Sequence, residues 1–248
     1  MHRDRDRDRD RPAPDRPAEK TKGILEITSQ GHGFLRDSAR AYSPSSGDAF
    51  VPRELIQRLR LRPGIALEGD MFRDRQGRLQ LRSVATVEGL PPNEWLDRPI
   101  FESLTVISPH RRLRFETSEE RLTTRVIDLM TPIGLGQRAL VVSPPRAGKT
   151  PILRDIGDGL STNHPDIKLE VLLVDERPEE VTDFRRSLPK AEVFASSNDR
   201  DTAEHVRLSR MVIERARRRV EMGENVFLLA DSLTRIARAF NHHVGTSG

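Results

Sequence analysis

Four short apolar runs in the second half of the chain, ALVV (139–142), KLEVLLV (168–174), AEVFA (191–195) and NVFLLA (225–230), are each followed by a segment of helical periodicity. Strands that read as near-continuous apolar runs are covered on both faces, and helices between them supply the cover in a parallel sheet. The expected fold of this half is therefore α/β, a parallel sheet with helices on both faces. The longest helical pattern, from Asp201 to about Met222, puts Val206, Val212, Ile213, Ala216 and Val220 on one stripe. It leaves Arg215, Arg217, Arg218 and Arg219 mostly outside, as a solvated basic face.

Ligands of such sheets gather at the carboxyl ends of the strands, and residues of matching chemistry stand there. The run 139–142 leads into SPPRAGKT (143–150), which departs from the phosphate-loop pattern G-x-x-x-x-G-K-[ST] by placing Ser143 at the first glycine. Gly148 allows backbone amides at a helix amino terminus to approach phosphate oxygens. Lys149 supplies a mobile charge to the β and γ phosphates, and the Thr150 hydroxyl suits Mg²⁺. Asp231, after FLLA, stands where an aspartate holds the metal directly or through water. Glu176, in DER (175–177), is the candidate for orienting and deprotonating an attacking water. A helix start or a capping acid accounts for each residue singly, but the ordered set points to a nucleoside triphosphate.

The first half has a different period. From Gly23 to about Leu90, runs such as ILEIT (24–28), GFLR (33–36), AFV (49–51), IALEGDMF (65–72) and RLQLRSV (78–84) are separated by GHG, SPSSGD, RPGI and RQGR. Short strands with turn signals make a small closed barrel. Leu55, Ile56 and Leu59 at helical spacing after Pro52 add one short helix, as in an OB-type barrel. His32 and Phe34 are two apart and so share one side of a strand. Rings there suit base stacking, and a core position for Phe34 fits the pattern equally. Residues 1–22, opening MHRDRDRDRDRP, bury almost nothing and are expected to be a disordered tail. Residues 91–120, with LPPNEW and ISPHRRLRFETSEE, are expected to be a connector, and 121–248 the nucleotide-binding domain.

The absence of cysteine excludes disulfides and thiolate metal sites. A net charge of +4 amid 32% charged residues is too thin an excess to choose a partner. With no apolar run of spanning length the chain is read as soluble and cytoplasmic, without a membrane partner. His242 and His243 lack a third ligand nearby in the chain and are read as surface residues.

Together SPPRAGKT, VLLVDERPEEVTDF (171–184), MVIERARR (211–218) and ADSLTRIARAFN (230–241) closely resemble the Rho family of bacterial transcription-termination factors. The likeness runs from about Gly23 to the last residue, and loops of that family carry the double proline without the first glycine. It implies a RecA-like P-loop ATPase domain behind an OB-fold RNA-binding barrel, and an ATP- and Mg²⁺-dependent RNA translocase or helicase. Catalysis is implied for Glu176, Lys149 and Asp231, with Mg²⁺ at Thr150 and Asp231. Nucleotide contacts are implied for Pro145, Arg146, Ala147, Gly148, Lys149, Thr150 and Pro151, with Arg177. RNA contacts are implied for His32, Phe34, Arg36, Asp48 and Phe50. The implied partners are cytosine-rich single-stranded RNA and either a homo-hexamer or co-assembly with a full-length Rho; RNA polymerase stands as a candidate.

Some positions depart from the family. His32 replaces an aromatic, Arg78 stands near an expected tyrosine, and Arg146 replaces a lysine. The helical subdomain that usually precedes the barrel is replaced by the Arg-Asp tail. The chain is expected to be incomplete at its carboxyl end, before the channel loops and the arginine finger, a group worth about 10³ to 10⁵ in rate in comparable enzymes. The alternative expectation is a shortened, non-catalytic paralogue that binds RNA and ATP and modulates full-length Rho.

Overall fold

The computed structural model describes residues 19–74, 76–144 and 147–245. Strands β1 (Glu19–Ile27), β2 (Gly33–Arg36), β3 (Phe50–Val51), β4 (Ala66–Arg73) and β5 (Leu79–Val87) close into a barrel in the order β1-β2-β3-β5-β4. Helix α1 (Arg53–Arg58) lies between β3 and β4 and buries Leu55 and Ile56. Alternation along the strands sends Leu25, Leu35, Leu67, Leu81 and Val87 inward, all nearly fully buried, each worth roughly 1.5–3 kcal/mol.

Strand β1 opens at Glu19, inside the stretch expected to be tail. Glu19 to Lys22 pair antiparallel with Met71 to Glu68 of β4, and Lys20 meets Asp70 at 3.1 Å. The strand is legible from its partner but not from itself, because these residues are mostly exposed and carry no apolar alternation. Residues 1–18, the remainder of that stretch, lie outside the described residues.

The segment after the barrel holds α2 (Pro92–Trp95), whose Trp95 joins the barrel core. Strand β6 (Arg112–Leu113) pairs with β7 (Ile133–Gly134), and α3 (Leu122–Met130) lies between them. Leu113 and Phe115, within the expected connector, are buried in the core of the second domain.

That domain is built from α4 (Lys149–Asn163), β8 (Lys168–Glu176), α5 (Pro178–Ser187), β9 (Glu192–Ser197), α6 (Thr202–Glu221), β10 (Val226–Asp231) and α7 (Leu233–Gly245). The sheet is parallel, in the order β10-β8-β9. Leu169, Val171 and Leu173 of β8 pack with Leu153, Ile156 and Leu160 of α4 and with Phe184 of α5. Leu172 and Val174 point the other way, onto Leu208, Met211 and Val212 of α6. Helices therefore cover both faces, and the α/β P-loop architecture expected from the alternating runs is what the chain adopts.

The run 139–142 is a correction, because it forms no strand. Val141 packs against the core, while Leu140 and Val142 stay 69% and 83% exposed. Among the described residues β10 pairs on one side only, with β8. The apolar run lies instead beside α3 and Ile152, in a groove lined by Leu122, Val126 and Ile127.

The basic cluster on α6 is a second correction, since much of it is not a solvated face. Arg215 reaches Glu88 of the barrel at 2.6 Å and the Gly64 carbonyl at 3.2 Å. Arg218 is 2% exposed and lies 3.2 Å from Glu221. Arg219 bridges Glu170 and Glu192, both at 2.6 Å. From the barrel side, Arg62 grips Glu221 through both nitrogens, at 2.7 and 3.0 Å. Gly64, at φ +83°, comes so near that an added Cβ would lie 2.5 Å from the Glu214 carbonyl carbon. Tyr42, from the loop after β2, is fully buried in the second domain and stacks on Phe194 with centroids 5.1 Å apart.

Candidate nucleotide and nucleic-acid sites

Helix α4 begins at Lys149, with Gly148 at its N-cap in the left-handed region, φ +84°. Among the described residues nothing lies within 4 Å of a Cβ added there, so glycine is required by backbone conformation. Unsatisfied amides at such a terminus favour an anion. Ala147 and Pro151 flank the turn and are exposed; Pro145 and Arg146 lie outside the described residues.

The ends of β8 and β10 bring the acids to this terminus. Asp231 closes β10 and is 3% exposed; its Oδ1 is 2.5 Å from Lys149 Nζ and its Oδ2 is 3.5 Å from Thr150 Oγ1. Glu176 closes β8 and is 4% exposed. The register with β9 skips between Val174 and Glu176, and the intervening Asp175 sits at φ +57°, so a bulge ends the strand there. Arg177 is exposed at the α5 N-cap and donates its backbone N–H to Glu176 Oε1 at 3.2 Å.

Two further residues of the site carry no motif signal in the sequence. Arg235, on the first turn of α7, places Nη1 3.0 Å from Glu176 Oε1 and also donates to the Asp175 carbonyl. Glu180 stands in the first turn of α5, four residues after Glu176, and burial, then the charges of Glu176 and Asp231, push its carboxyl pKa up. Their signals, an arginine four residues after Asp231 and a glutamate four after Glu176, are ordinary on helices. Thr150 and Asp231 form an oxygen donor pair that suits Mg²⁺, and Lys149 with the α4 terminus suits phosphate.

On the barrel, His32, Phe34 and Phe50 form one cluster, with centroids 5.6 Å (His32–Phe34), 5.2 Å (His32–Phe50) and 5.8 Å (Phe34–Phe50) apart. Phe34 and Phe50 are register partners across β2 and β3. All three are half-buried and stand outside the barrel core, which decides the two placements open to Phe34. Arg36 and Asp48 take each other as partners. The Arg36 guanidinium lies between Glu26 and Asp48, each at 2.5 Å, and 4.8 Å from the Phe34 centroid. Asp48 also accepts from Ser45 N at 2.7 Å and Arg40 Nη2 at 3.1 Å. Both are nearly buried, so in this state they brace the ring cluster.

A P-loop nucleotide-binding domain packed against a five-stranded barrel with a surface aromatic cluster defines the class of protein. Residues 123–246 match the ATP synthase alpha/beta family, nucleotide-binding domain, and residues 21–93 match the Rho termination factor, RNA-binding domain. The chain belongs to the ATP synthase alpha/beta family through its nucleotide-binding domain, joined here to an RNA-binding domain of Rho type. It is 46% identical over 231 residues to the transcription termination factor Rho of Buchnera aphidicola, covering 91% of this chain and 55% of that one. It is 44% identical over 242 residues to the transcription termination factor Rho of Mycobacterium bovis, covering 94% of this chain and 40% of that one. The chain thus spans about half the length of the curated relatives it matches. A solved ATPase from the type III secretion system of pathogenic bacteria superposes with a TM-score of 0.50 at 26% identity, covering 60% of this chain and 41% of that one. The resemblance to Rho seen in the loop and strand-end motifs is borne out.

Proposed function

We propose that this chain works as the RNA- and ATP-binding part of a Rho-type termination factor, an RNA-dependent ATPase that translocates on nascent single-stranded RNA. The observation that carries it is the convergence of Lys149, Thr150 and Asp231 at the α4 amino terminus, with Glu176 at the neighbouring strand end. In this proposal Lys149 and the α4 amides bind the phosphates, and Gly148 with its neighbours Pro145, Arg146, Ala147 and Pro151 shapes the loop. Thr150 and Asp231 hold Mg²⁺, whose charge would offset that of the phosphates. Glu176 orients water, and Arg177 borders the site. Lys149 is held by Asp231 in the described state, so binding of nucleotide replaces one charge partner of the lysine by another.

His32, Phe34 and Phe50 offer rings on which bases of cytosine-rich RNA stack, each stack worth about 1–3 kcal/mol. In this proposal Arg36, whose guanidinium lies against Phe34, and its partner Asp48 contact RNA by releasing each other. Assembly as a hexamer, or together with full-length Rho, a contact with RNA polymerase and a cytoplasmic setting belong to the same proposal. No helix of the described residues is long and apolar enough to cross a membrane.

The test is ATP hydrolysis by the purified chain with and without cytosine-rich RNA. Stimulation by RNA, lost in Lys149→Ala, is the expected result. Turnover indifferent to both RNA and Lys149→Ala would overturn the proposal. RNA and nucleotide binding without hydrolysis at saturating RNA and Mg²⁺ would replace it by the binding-only paralogue.

A further inference from the structure

Among the described residues, the ion pair and hydrogen bond of Glu176 both fall on one carboxylate oxygen, Oε1. Its Oε1 receives Arg235 Nη1 at 3.0 Å and the Arg177 backbone N–H at 3.2 Å. Arg235 also donates to the Asp175 carbonyl, at the bulge where β8 and β9 lose register. The arginine is itself fixed, because its backbone N–H donates to the Ser232 carbonyl at 3.0 Å, directly after β10. One guanidinium therefore ties the end of β10 to the end of β8.

The charge around Glu176 explains why a cation belongs there. Three carboxylates, Glu176, Glu180 and Asp231, gather at these strand ends; burial first, and then the charges of Glu176 and Asp231, push the Glu180 carboxyl up. Lys149 is committed to Asp231 at 2.5 Å, and Arg177 gives Glu176 its backbone N–H. Arg235 is the guanidinium on Glu176, and a planar fork with several donors suits simultaneous capture of a carboxylate and a carbonyl.

We infer that Arg235 is a positioning residue for Glu176: it clamps Oε1 against the bulge at Asp175 and leaves Oε2 as the oxygen that faces water. This inference rests on the ATPase proposal above, because holding one carboxylate oxygen matters for a reaction in which the other must meet water. Misplacement of a reacting group by about 1 Å costs on the order of 10²-fold in rate, which sets the scale expected on losing the clamp.

The test compares wild type with Glu176→Gln, Arg235→Ala, Arg235→Lys and the Glu176→Gln/Arg235→Ala double variant. RNA-stimulated kcat and KM for ATP are measured, with nucleotide affinity taken separately from a fluorescent ADP analogue. Arg235→Ala is expected to lower kcat by roughly 10- to 100-fold with KM and ADP affinity within about twofold of wild type. Arg235→Lys should recover part of the loss, and the double variant should be no slower than Glu176→Gln, because the arginine acts through the glutamate. Wild-type kcat in Arg235→Ala with Glu176→Gln inactive overturns the clamp alone. Full turnover in Glu176→Gln overturns the clamp and the water-orienting role together. Additive losses in the double variant assign Arg235 to an independent task and overturn the inference. Crystal structures of wild type and Arg235→Ala decide the matter without turnover: the Glu176 carboxylate should leave its position in the variant, and an unmoved carboxylate counts against the clamp.

Discussion

Replacing Gly148 by alanine would hold a Cβ at φ +84°, a conformation that costs an L-residue roughly 1–2 kcal/mol. Among the described residues nothing meets that Cβ, which makes the cost conformational, so thermal melting is expected to fall by an amount of that size, and ATP affinity with it if the loop relaxes. The aromatic cluster gives a cleaner separation. Phe34→Ala and Phe50→Ala are each expected to weaken cytosine-rich RNA by about 1–3 kcal/mol while leaving ADP affinity unchanged, read by filter binding and by nucleotide titration. An equal loss in both ligands would show the rings to be structural. At this scale the sequence was legible wherever chemistry is tied to local spacing, as for Lys149, Thr150, Asp231 and Glu176. It was not legible for Arg235 and Glu180, whose importance arises from which strand end each one meets. Arg36 and Asp48 show the converse, since their residue types suit RNA yet their nearest partners are each other.

Elements were read well when their own pattern carried the signal. Punctuated strands of the barrel, the short helix after Pro52 and the long α6 are all present where periodicity placed them. The β1 extension and the run 139–142 escaped because strand pairing depends on the neighbour offered: charged Glu19 to Lys22 found β4, while ALVV settled beside α3. The arginines of α6 escaped for a related reason. A helical stripe counts apolar residues, but the acids that pair with these arginines come from distant parts of the chain, at Glu88, Glu102 and Glu170. Glu221 is the centre of that seam, with a side chain at 0% exposure that accepts from Arg62 and the Phe101 N–H and lies 3.2 Å from Arg218. Glu221→Ala leaves buried Arg218 without that counter-charge, and losing one partner of a buried pair costs about 3–5 kcal/mol. Chemical denaturation should show a loss of that size, and Arg217→Ala on the more exposed pair with Glu102 should show well under 1 kcal/mol.

For the whole molecule, the seam also fixes a dependence on pH. Burial pushes Glu170 up from an ordinary 4.5 to about 7, outweighing the attraction of Arg219, and among the described residues its Oε2 has no hydrogen-bond partner. The same carboxylates raise the pKa of Arg219. Between 4.5 and about 7 the folded protein therefore keeps a proton that the unfolded chain releases, so this group's contribution to stability falls as pH rises through that window. Melting curves of wild type and Glu170→Gln should diverge in the variant's favour from pH 4.5 to 7 and run parallel above it; a constant difference would refute the burial cost. Tyr42 lies on the same side of the sheet, its hydroxyl also without a partner and its pKa pushed well up by burial.

The stacking of Tyr42 on Phe194 has a practical result for anyone who would study the halves apart. A cut between them would yield a nucleotide-binding domain with an empty socket in its core and a barrel with an oily peg in water. A displacement of the loop after β2 would bear directly on β9 through that ring.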